Sequence, residues 1–338
     1  ANTTTNANTA VGWGALRYNT GANGNTAVGS GAMQNNTTGN GNVAVGRFVL
    51  GDNTTASGNT AMGGYDGTVQ PAMRVNTTGA ANVAIGSGSL AANTTASNNT
   101  AVGHSALTTN TTGNRNTASG FESLKLNTTG LSNVSIGAYS SNNNTTASYN
   151  VAVGDAAFFI NTTGANSVAV GYEALKANTT ASNNTAVGYR SLLSNTTGAQ
   201  NTALGATTLD ANSTGENNTA LGWSALTAST TGSGNTAVGS VSLFVNTTGA
   251  SNVAVGQEAL RYNTTASNNT AVGYQAGYSN TTGTRNIALG SVSLYTNTTG
   301  EHNVALGYAT LYANTDGDGN TGLGYGVMQA ITTGASNV

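Results

Sequence analysis

The residues with the clearest chemical potential form a recurring Asn-x-Thr signature, the acceptor sequence for N-linked glycosylation when a chain passes a suitable transferase. The signature stands at one fixed place in sixteen of nineteen repeated segments. Its asparagines are Asn2, Asn36, Asn53, Asn76, Asn93, Asn110, Asn127, Asn144, Asn161, Asn178, Asn195, Asn212, Asn246, Asn263, Asn280 and Asn297. If they are occupied, one edge of the molecule displays a glycan roughly every 4.8 Å, the spacing of stacked β-strands.

The same residues also suit a purely structural role. Asn tolerates left-handed conformations, and Asn and Thr side chains hydrogen-bond local backbone groups, so Asn-Thr-Thr is a good tight turn. Only 6% of the residues are charged. A chain with so few charges has weak colloidal protection, which sugars on the Asn or Thr side chains would supply. The sequence leaves both interpretations open.

Residue types that perform catalysis or bind metals are scarce and scattered. The chain has no cysteine, and its two histidines, His104 and His302, lie about twelve repeats apart. Asp316 and Asp318 are close neighbours. The recurring acidic pattern of calcium-binding β-rolls is nevertheless missing, which favours a solvated turn. We therefore expect a protein that is not an enzyme and that has no cofactor and no metal site.

Aromatic residues recur immediately after a fixed glycine. They are Trp13, Phe121, Tyr172, Tyr189, Trp223, Tyr274, Tyr308 and Tyr325. Aromatic faces can bind sugar rings, whereas packing over a corner of the fold or at a subunit seam is the structural alternative.

The fixed glycine reveals the repeat that must position all of these side chains. It occurs at Gly12, Gly29, Gly46, Gly63, Gly86, Gly103, Gly120, Gly137, Gly154, Gly171, Gly188, Gly205, Gly222, Gly239, Gly256, Gly273, Gly290, Gly307 and Gly324. The steps are 17 residues, except for 23 between Gly63 and Gly86. Six residues are therefore inserted within 64–71, which contains the only proline. Such insertions often form binding loops, and a tolerated bulge without a ligand is the alternative.

Residues 1–338 form a single repeat array, and we expect it to be a section of a longer fibre because it starts and stops inside a repeat. Repeat positions are numbered here from 1 at Asn195 to 17 at Ala211. The Asn-Thr-Thr turn then occupies positions 1–3, and the fixed glycine occupies position 11.

The repeat predicts an all-β fold. Thr, Val, Asn and Gly favour strands and turns over helices, and no apolar pattern with helical spacing is present. We predict a β-solenoid (a β-roll or β-helix) of about 19 coils with 17 residues per coil. Strands are expected at positions 7–11 and 12–16, and position 11 is expected to be a corner that only glycine can form.

Apolar residues at position 10 and Leu at position 15 are expected to fill the core of each coil. Asn at position 7 is expected to form a hydrogen-bonded ladder between coils. All charged residues lie outside positions 7–11, so this strand is predicted to be covered on both faces. Position 9, which is Ala in almost every repeat, is predicted to face a partner chain, and we expect self-association into a trimer or filament.

Other partners are not indicated by the composition. The formal net charge of −2 offers no electrostatic surface for nucleic acid. No apolar run approaches the roughly 20 residues that span a bilayer, so no membrane span is expected in this section. The hydrophobic fraction of 37%, regularly spaced, argues against disorder.

The motifs at residues 82–86 and 252–256 resemble the repeat of trimeric autotransporter adhesin heads. The longer pattern at 269–276, followed by Asn-Thr-Thr-Gly at 280–283, resembles repeat arrays in phage tail-fibre-like and bacterial surface proteins. The resemblance covers the whole chain except the insertion. It implies a left-handed parallel β-roll, packed three around an axis, at the surface of a cell or virion.

These observations together predict the structural shaft of an extracellular fibre, either a surface adhesin or appendage or a tail fibre, with glycans on its Asn-Thr-Thr edge. The alternative is an ice-binding or carbohydrate-binding β-solenoid, because regular Thr columns on a flat face can order water and aromatic columns can bind sugars.

Overall fold

The computed structural model describes residues 7–338 and is a β-solenoid with one three-residue strand in each coil. No helix occurs among the described residues. The predicted fold class, about 19 coils of about 17 residues, is confirmed. The chain divides into two compact units, residues 1–167 and 168–338.

The described part of the first unit, residues 7–167, contains nine strands. They are β1 (Thr9–Val11), β2 (Thr26–Val28), β3 (Val43–Val45), β4 (Thr60–Met62), β5 (Val83–Ile85), β6 (Thr100–Val102), β7 (Thr117–Ser119), β8 (Val134–Ile136) and β9 (Val151–Val153).

The second unit contains ten strands. They are β10 (Val168–Val170), β11 (Thr185–Val187), β12 (Thr202–Leu204), β13 (Thr219–Leu221), β14 (Thr236–Val238), β15 (Val253–Val255), β16 (Thr270–Val272), β17 (Ile287–Leu289), β18 (Val304–Leu306) and β19 (Thr321–Leu323).

Within each unit, each strand pairs in parallel with the strand of the next coil, and equivalent positions stand opposite each other. Ala203 of β12, for example, pairs with Ala220 of β13. The insertion does not disturb this register, because Thr60 pairs with Val83 across the 23-residue step. Equivalent side chains therefore form columns in each unit.

The predicted second strand at positions 12–16 is wrong. Only positions 8–10 are strand, and positions 12–17 form turns in which positions 13 and 15 have positive φ. Thr207 and Leu209 both have φ of 52°. These turns still bond between coils, since the amide of Leu209 donates to the carbonyl of Ala225 at 3.1 Å. A left-handed non-glycine residue costs about 1–2 kcal/mol, which burial of a leucine, about 1.5–3 kcal/mol, offsets.

The predicted orientation of the strand is also wrong. Position 9 faces the coil interior and position 10 faces outward: Ala203 is fully buried, whereas Leu204 is 45% exposed. Successive side chains of a strand point to opposite faces, so positions 8 and 10 share the outer one. Alanine faces inward because the interior beneath the strand already holds Leu at position 15 and Asn at positions 1 and 7.

The core is thus a narrow column of small and medium side chains with buried amides. Its largest fully buried members are Phe158, Met33, Met73 and the leucines at position 15. Packing is tight enough to couple neighbouring coils. A Cβ atom on Gly322, at position 9, would lie 2.6 Å from the methyl carbon of Thr310, at position 14 of the preceding coil.

The glycine at position 11 forms the corner after each strand. All nineteen have φ between 122° and 139°, a region that side chains disfavour. Space is equally restrictive, because a Cβ on Gly205 would lie 2.5 Å from the carbonyl oxygen of Gly222. Backbones of successive corners therefore approach too closely for any other residue.

The insertion occupies one such corner. The amide of Ala72 donates to Gly63 as position 14 does elsewhere, and the amide of Gly88 donates to the carbonyl of Gln70. Gln70 and Pro71 therefore stand at positions 12 and 13, and the six added residues are 64–69. Proline has no amide hydrogen, so the usual bond from position 13 to the preceding coil is missing at this corner.

Candidate functional surfaces

The asparagines at position 1 form a buried ladder along each unit. The Nδ2 of Asn195 donates to the Oδ1 of Asn178 at 3.0 Å and to the carbonyl of Gly198 at 2.9 Å. The Nδ2 of Asn212 then donates to the Oδ1 of Asn195 at 2.8 Å. Each side chain thereby satisfies its own turn and bonds to a neighbouring coil, as buried polar groups require.

This burial argues against a glycan on these asparagines in the folded coils. A glycan replaces a hydrogen on Nδ2, and in these coils that atom donates within the folded chain. Asn2 lies outside the described residues. The other fifteen candidates are at most 2% exposed: Asn36, Asn53, Asn76, Asn93, Asn110, Asn127, Asn144, Asn161, Asn178, Asn195, Asn212, Asn246, Asn263, Asn280 and Asn297. Their role in the folded coils is the structural alternative that the sequence left open.

A second asparagine column stands at position 7, and it bonds the coils differently from the expected amide-to-amide ladder. The Oδ1 of Asn184 accepts the backbone amide of Asn201 at 2.9 Å. The Nδ2 of Asn201 donates to the carbonyl of Gly215 at 2.8 Å. Direct amide contacts are present only in some coils, as between Asn218 and Asn201 at 3.1 Å. The main partners are backbone groups.

Side chains at positions 8 and 10 form a surface that we call the exposed strand face. Position 10 is apolar in all coils but one, and position 8 alternates Thr with Val or Ile. Leu204 and Leu221 of adjacent coils are 45% and 41% exposed. No charged residue occupies either position. Monomeric proteins rarely expose contiguous apolar patches beyond a few hundred Å².

The threonines of the turn differ from each other in availability. At position 2 the hydroxyl donates to the next coil, as from Thr196 to the carbonyl of Ser213 at 3.0 Å. At position 3 the side chain is exposed, as in Thr180, Thr197 and Thr214. The side chains at position 3 therefore form a single exposed column of hydroxyl groups that runs along the successive turns of each unit.

The aromatic residues at position 12 are exposed, and they stack where two stand in adjacent coils. The rings of Tyr172 and Tyr189 are 5.6 Å apart and nearly parallel, at 11°. Tyr308 and Tyr325 stack in the same way at 5.2 Å. Stacking covers one face of each ring in these pairs, so each pair presents its outer ring faces, its ring edges and its hydroxyl groups.

Position 16 carries a tyrosine column that the sequence reasoning missed. The rings of Tyr278, Tyr295 and Tyr312 stack at 4.9 Å and 5.1 Å. A side-chain hydrogen bond with Tyr262 raises the pKa of Tyr278, and partial burial raises the pKa of Tyr295. The 17-residue spacing of these tyrosines was the available signal.

The two neighbouring aspartates, Asp316 and Asp318, make local hydrogen bonds within and between turns. The Oδ1 of Asp318 accepts the amide of Glu301 at 2.7 Å, as Asn or Ser does at this position in other coils. Asp316 accepts the Thr315 hydroxyl at 3.2 Å. Among residues 7–338 no three His, Asp or Glu side chains are grouped to hold a metal ion.

In the described part of the chain, no helix is long and apolar enough to cross a membrane. The sequence matches no protein-family model, and a search of curated proteins found no significant match.

Proposed function

We propose that this chain is a non-enzymatic structural shaft of an extracellular fibre, in which copies of the chain pack through the exposed strand face. The observation that carries the proposal is the uncharged surface that combines apolar side chains at position 10 with Thr, Val or Ile at position 8. Within each unit it presents equivalent side chains once per coil. A second copy has the same coil spacing, so its side chains can interdigitate coil by coil over a long contact.

The resemblance to trimeric adhesin heads supports three copies around one axis. Hydrogen bonds and side-chain columns in every coil support a load-bearing role, because stability in such arrays is a sum over neighbouring coils. The location at a cell or virion surface rests on the same resemblance.

The test is the oligomeric state of a double variant, Leu204→Lys with Leu221→Lys. Both leucines point outward, so the fold should persist while the interface becomes charged. Burying one leucine contributes about 1.5–3 kcal/mol. We therefore expect the unmodified chain to sediment as an oligomer, and the variant to dissociate at higher concentrations than the control below, with an unchanged circular dichroism spectrum.

The matched control is Thr197→Lys with Thr214→Lys, which places the same charges on the same two coils at exposed position 3. This control should remain oligomeric. An unmodified chain that stays monomeric at all concentrations would contradict the proposal, as would a leucine variant that assembles as well as the control does.

Ice binding is the second candidate, and the exposed threonine column at position 3 favours it. An ice-binding face is expected to be a flat array of regular Thr columns, and position 3 supplies only one column, which lies in a turn. The neighbouring Thr column at position 8 is interrupted by Val and Ile. A thermal hysteresis measurement on the same samples separates the candidates. The shaft proposal expects no hysteresis, whereas ice binding requires hysteresis that the Thr197→Lys with Thr214→Lys variant reduces.

A further inference from the structure

An open cleft of about 250 Å³ lies where the insertion leaves the repeat. It is smaller than the roughly 300–1,000 Å³ typical of drug-sized ligand pockets, so it suits a small molecule or the end group of a larger one. The cleft is lined by Arg47, Phe48, Tyr65, Gln70, Pro71 and Arg74.

Two guanidinium groups converge on one aromatic ring in this cleft. The Cζ atoms of Arg47 and Arg74 lie 5.0 Å and 5.1 Å from the centre of the Phe48 ring. Arg47 also lies 5.9 Å from the ring of Tyr65. Cation–π contacts at these distances hold the groups in place without consuming their hydrogen-bond donors.

The charges around the cleft are incompletely neutralised. The Nε of Arg74 is 3.7 Å from the nearer carboxylate oxygen of Asp52, too long for a hydrogen bond, and this buried atom has no hydrogen-bond partner. Within residues 7–338, Arg47 makes no ion pair with a carboxylate. Arg47, Arg74 and Asp52 together leave one net positive charge at the cleft, which complements a monoanion. The Asp66 carboxylate of the inserted loop does not line the cleft, and it contacts its own loop amides and His104 instead.

The inserted loop is held in shape by its own hydrogen bonds. The Oδ1 of Asp66 accepts the amides of Thr68 and Val69 at 2.9 Å and 2.8 Å. These bonds hold the pKa of Asp66 well below its usual range. Its other oxygen lies 3.5 Å from the Nε2 of His104. The Tyr65 hydroxyl donates to the carbonyl of Gly67 at 2.9 Å, which fixes one wall of the cleft.

We propose that this cleft binds the carboxylate of a small monoanionic ligand, the size of one acidic sugar residue. Guanidinium groups present planar pairs of donors that match a carboxylate. The Gln70 side chain offers both a donor and an acceptor for a ligand hydroxyl. No cleft residue belongs to the exposed strand face, so this binding site is independent of whether copies of the chain assemble.

The test is calorimetric titration of the full chain at low salt with glucuronate, glucose and inorganic phosphate. We expect saturable binding of glucuronate, no binding of neutral glucose, and weaker binding of phosphate. Arg47→Gln and Arg74→Gln should each lower the glucuronate affinity roughly tenfold or more. The control is Arg17→Gln, which removes an exposed arginine from the same repeat position as Arg74 and should leave the affinity unchanged.

Equal affinity for glucose, tighter binding of phosphate, or no binding of glucuronate would overturn the proposal. So would unchanged affinity in both cleft variants, whose folding is checked by circular dichroism. If a glucuronate oligomer binds more tightly than the monomer, the ligand of the cleft is a residue of an acidic polysaccharide. If the two bind with equal affinity, the ligand is the free sugar acid.

Discussion

At the scale of single residues, the buried asparagines carry the specificity of this fold. Asparagine offers a donor and an acceptor on one short planar group, and the ladder at position 1 uses both along its unbroken runs. Where Ser229 replaces the asparagine, the buried Oδ1 of Asn212 is left without a hydrogen-bond partner. A fully buried amide of this kind is expensive to leave unpaired, about 1–3 kcal/mol for each group. The column therefore favours one alignment of neighbouring coils over any shifted one.

Replacing one amide by a carboxyl group tests this role. Asn195→Asp removes the donor that bonds Asn178 and Gly198 and sets a carboxyl against two acceptors. We expect the free energy of unfolding to fall by roughly 2–5 kcal/mol at neutral pH. Burial raises the pKa of the introduced carboxyl in the folded state. The loss should therefore be small below its unfolded pKa, about 3.9, and grow as the pH rises above it.

The measurement is urea unfolding at several pH values, and the matched control is Asn217→Asp at exposed position 6. The control changes the same chemical group in the adjacent coil and should alter stability by less than about 0.5 kcal/mol. Equal effects of the two substitutions would show that the buried column does not stabilise the coils.

At the scale of elements, each coil has a three-residue strand and a corner that sets where the chain turns. Gly205→Ala should destabilise the protein by about 3 kcal/mol or more, because the added Cβ meets a carbonyl oxygen at 2.5 Å and adopts a φ of 137°. The control is Gly234→Ala at position 6, where φ is 68° and the nearest atom would be 3.6 Å away. That change should cost only about 1–2 kcal/mol.

Thermal and urea unfolding of both glycine variants gives the comparison directly. Similar losses at the two sites would mean that left-handed backbone alone, rather than contact between successive corners, explains the glycine column.

The elements also show what sequence reasoning could reach. The 17-residue period predicts the coil count and the strand near position 9. One repeat forms one coil, and coils that stack in register place equivalent residues opposite each other. Sequence reasoning assigns the inward face wrongly, because Val at position 10 is more hydrophobic than Ala at position 9. The interior of the coil is too narrow for the larger side chain beneath the strand, and the sequence does not show that width. Leucine at position 15 gives no signal of its left-handed conformation, because burial rather than local preference holds it there.

The surfaces were predictable to different degrees. The insertion within 64–71 was evident from the broken period, but the convergence of Arg47 and Arg74 depends on two coils being stacked. The glycosylation motif is present in the sequence, but its burial follows from a ladder that exists only when neighbouring coils align.

At the scale of the whole molecule, nearest-neighbour stacking makes stability additive over coils within a unit. Deleting residues 195–211 removes one complete coil and joins Ser194 to Asn212, so that each asparagine rung and strand finds an equivalent neighbour. We expect this variant to fold, with a free energy of unfolding reduced by roughly one coil's share and a proportionately smaller denaturant dependence.

Removing three more residues, 195–214, also deletes the Asn212 rung and leaves a coil of 14 residues. A coil of that length cannot place both its strand and its position 1 side chain in register with the neighbouring coils. That variant should lose cooperative unfolding, as measured by circular dichroism in urea. If the two deletions were equally stable, register between neighbouring coils would not be what holds the array together.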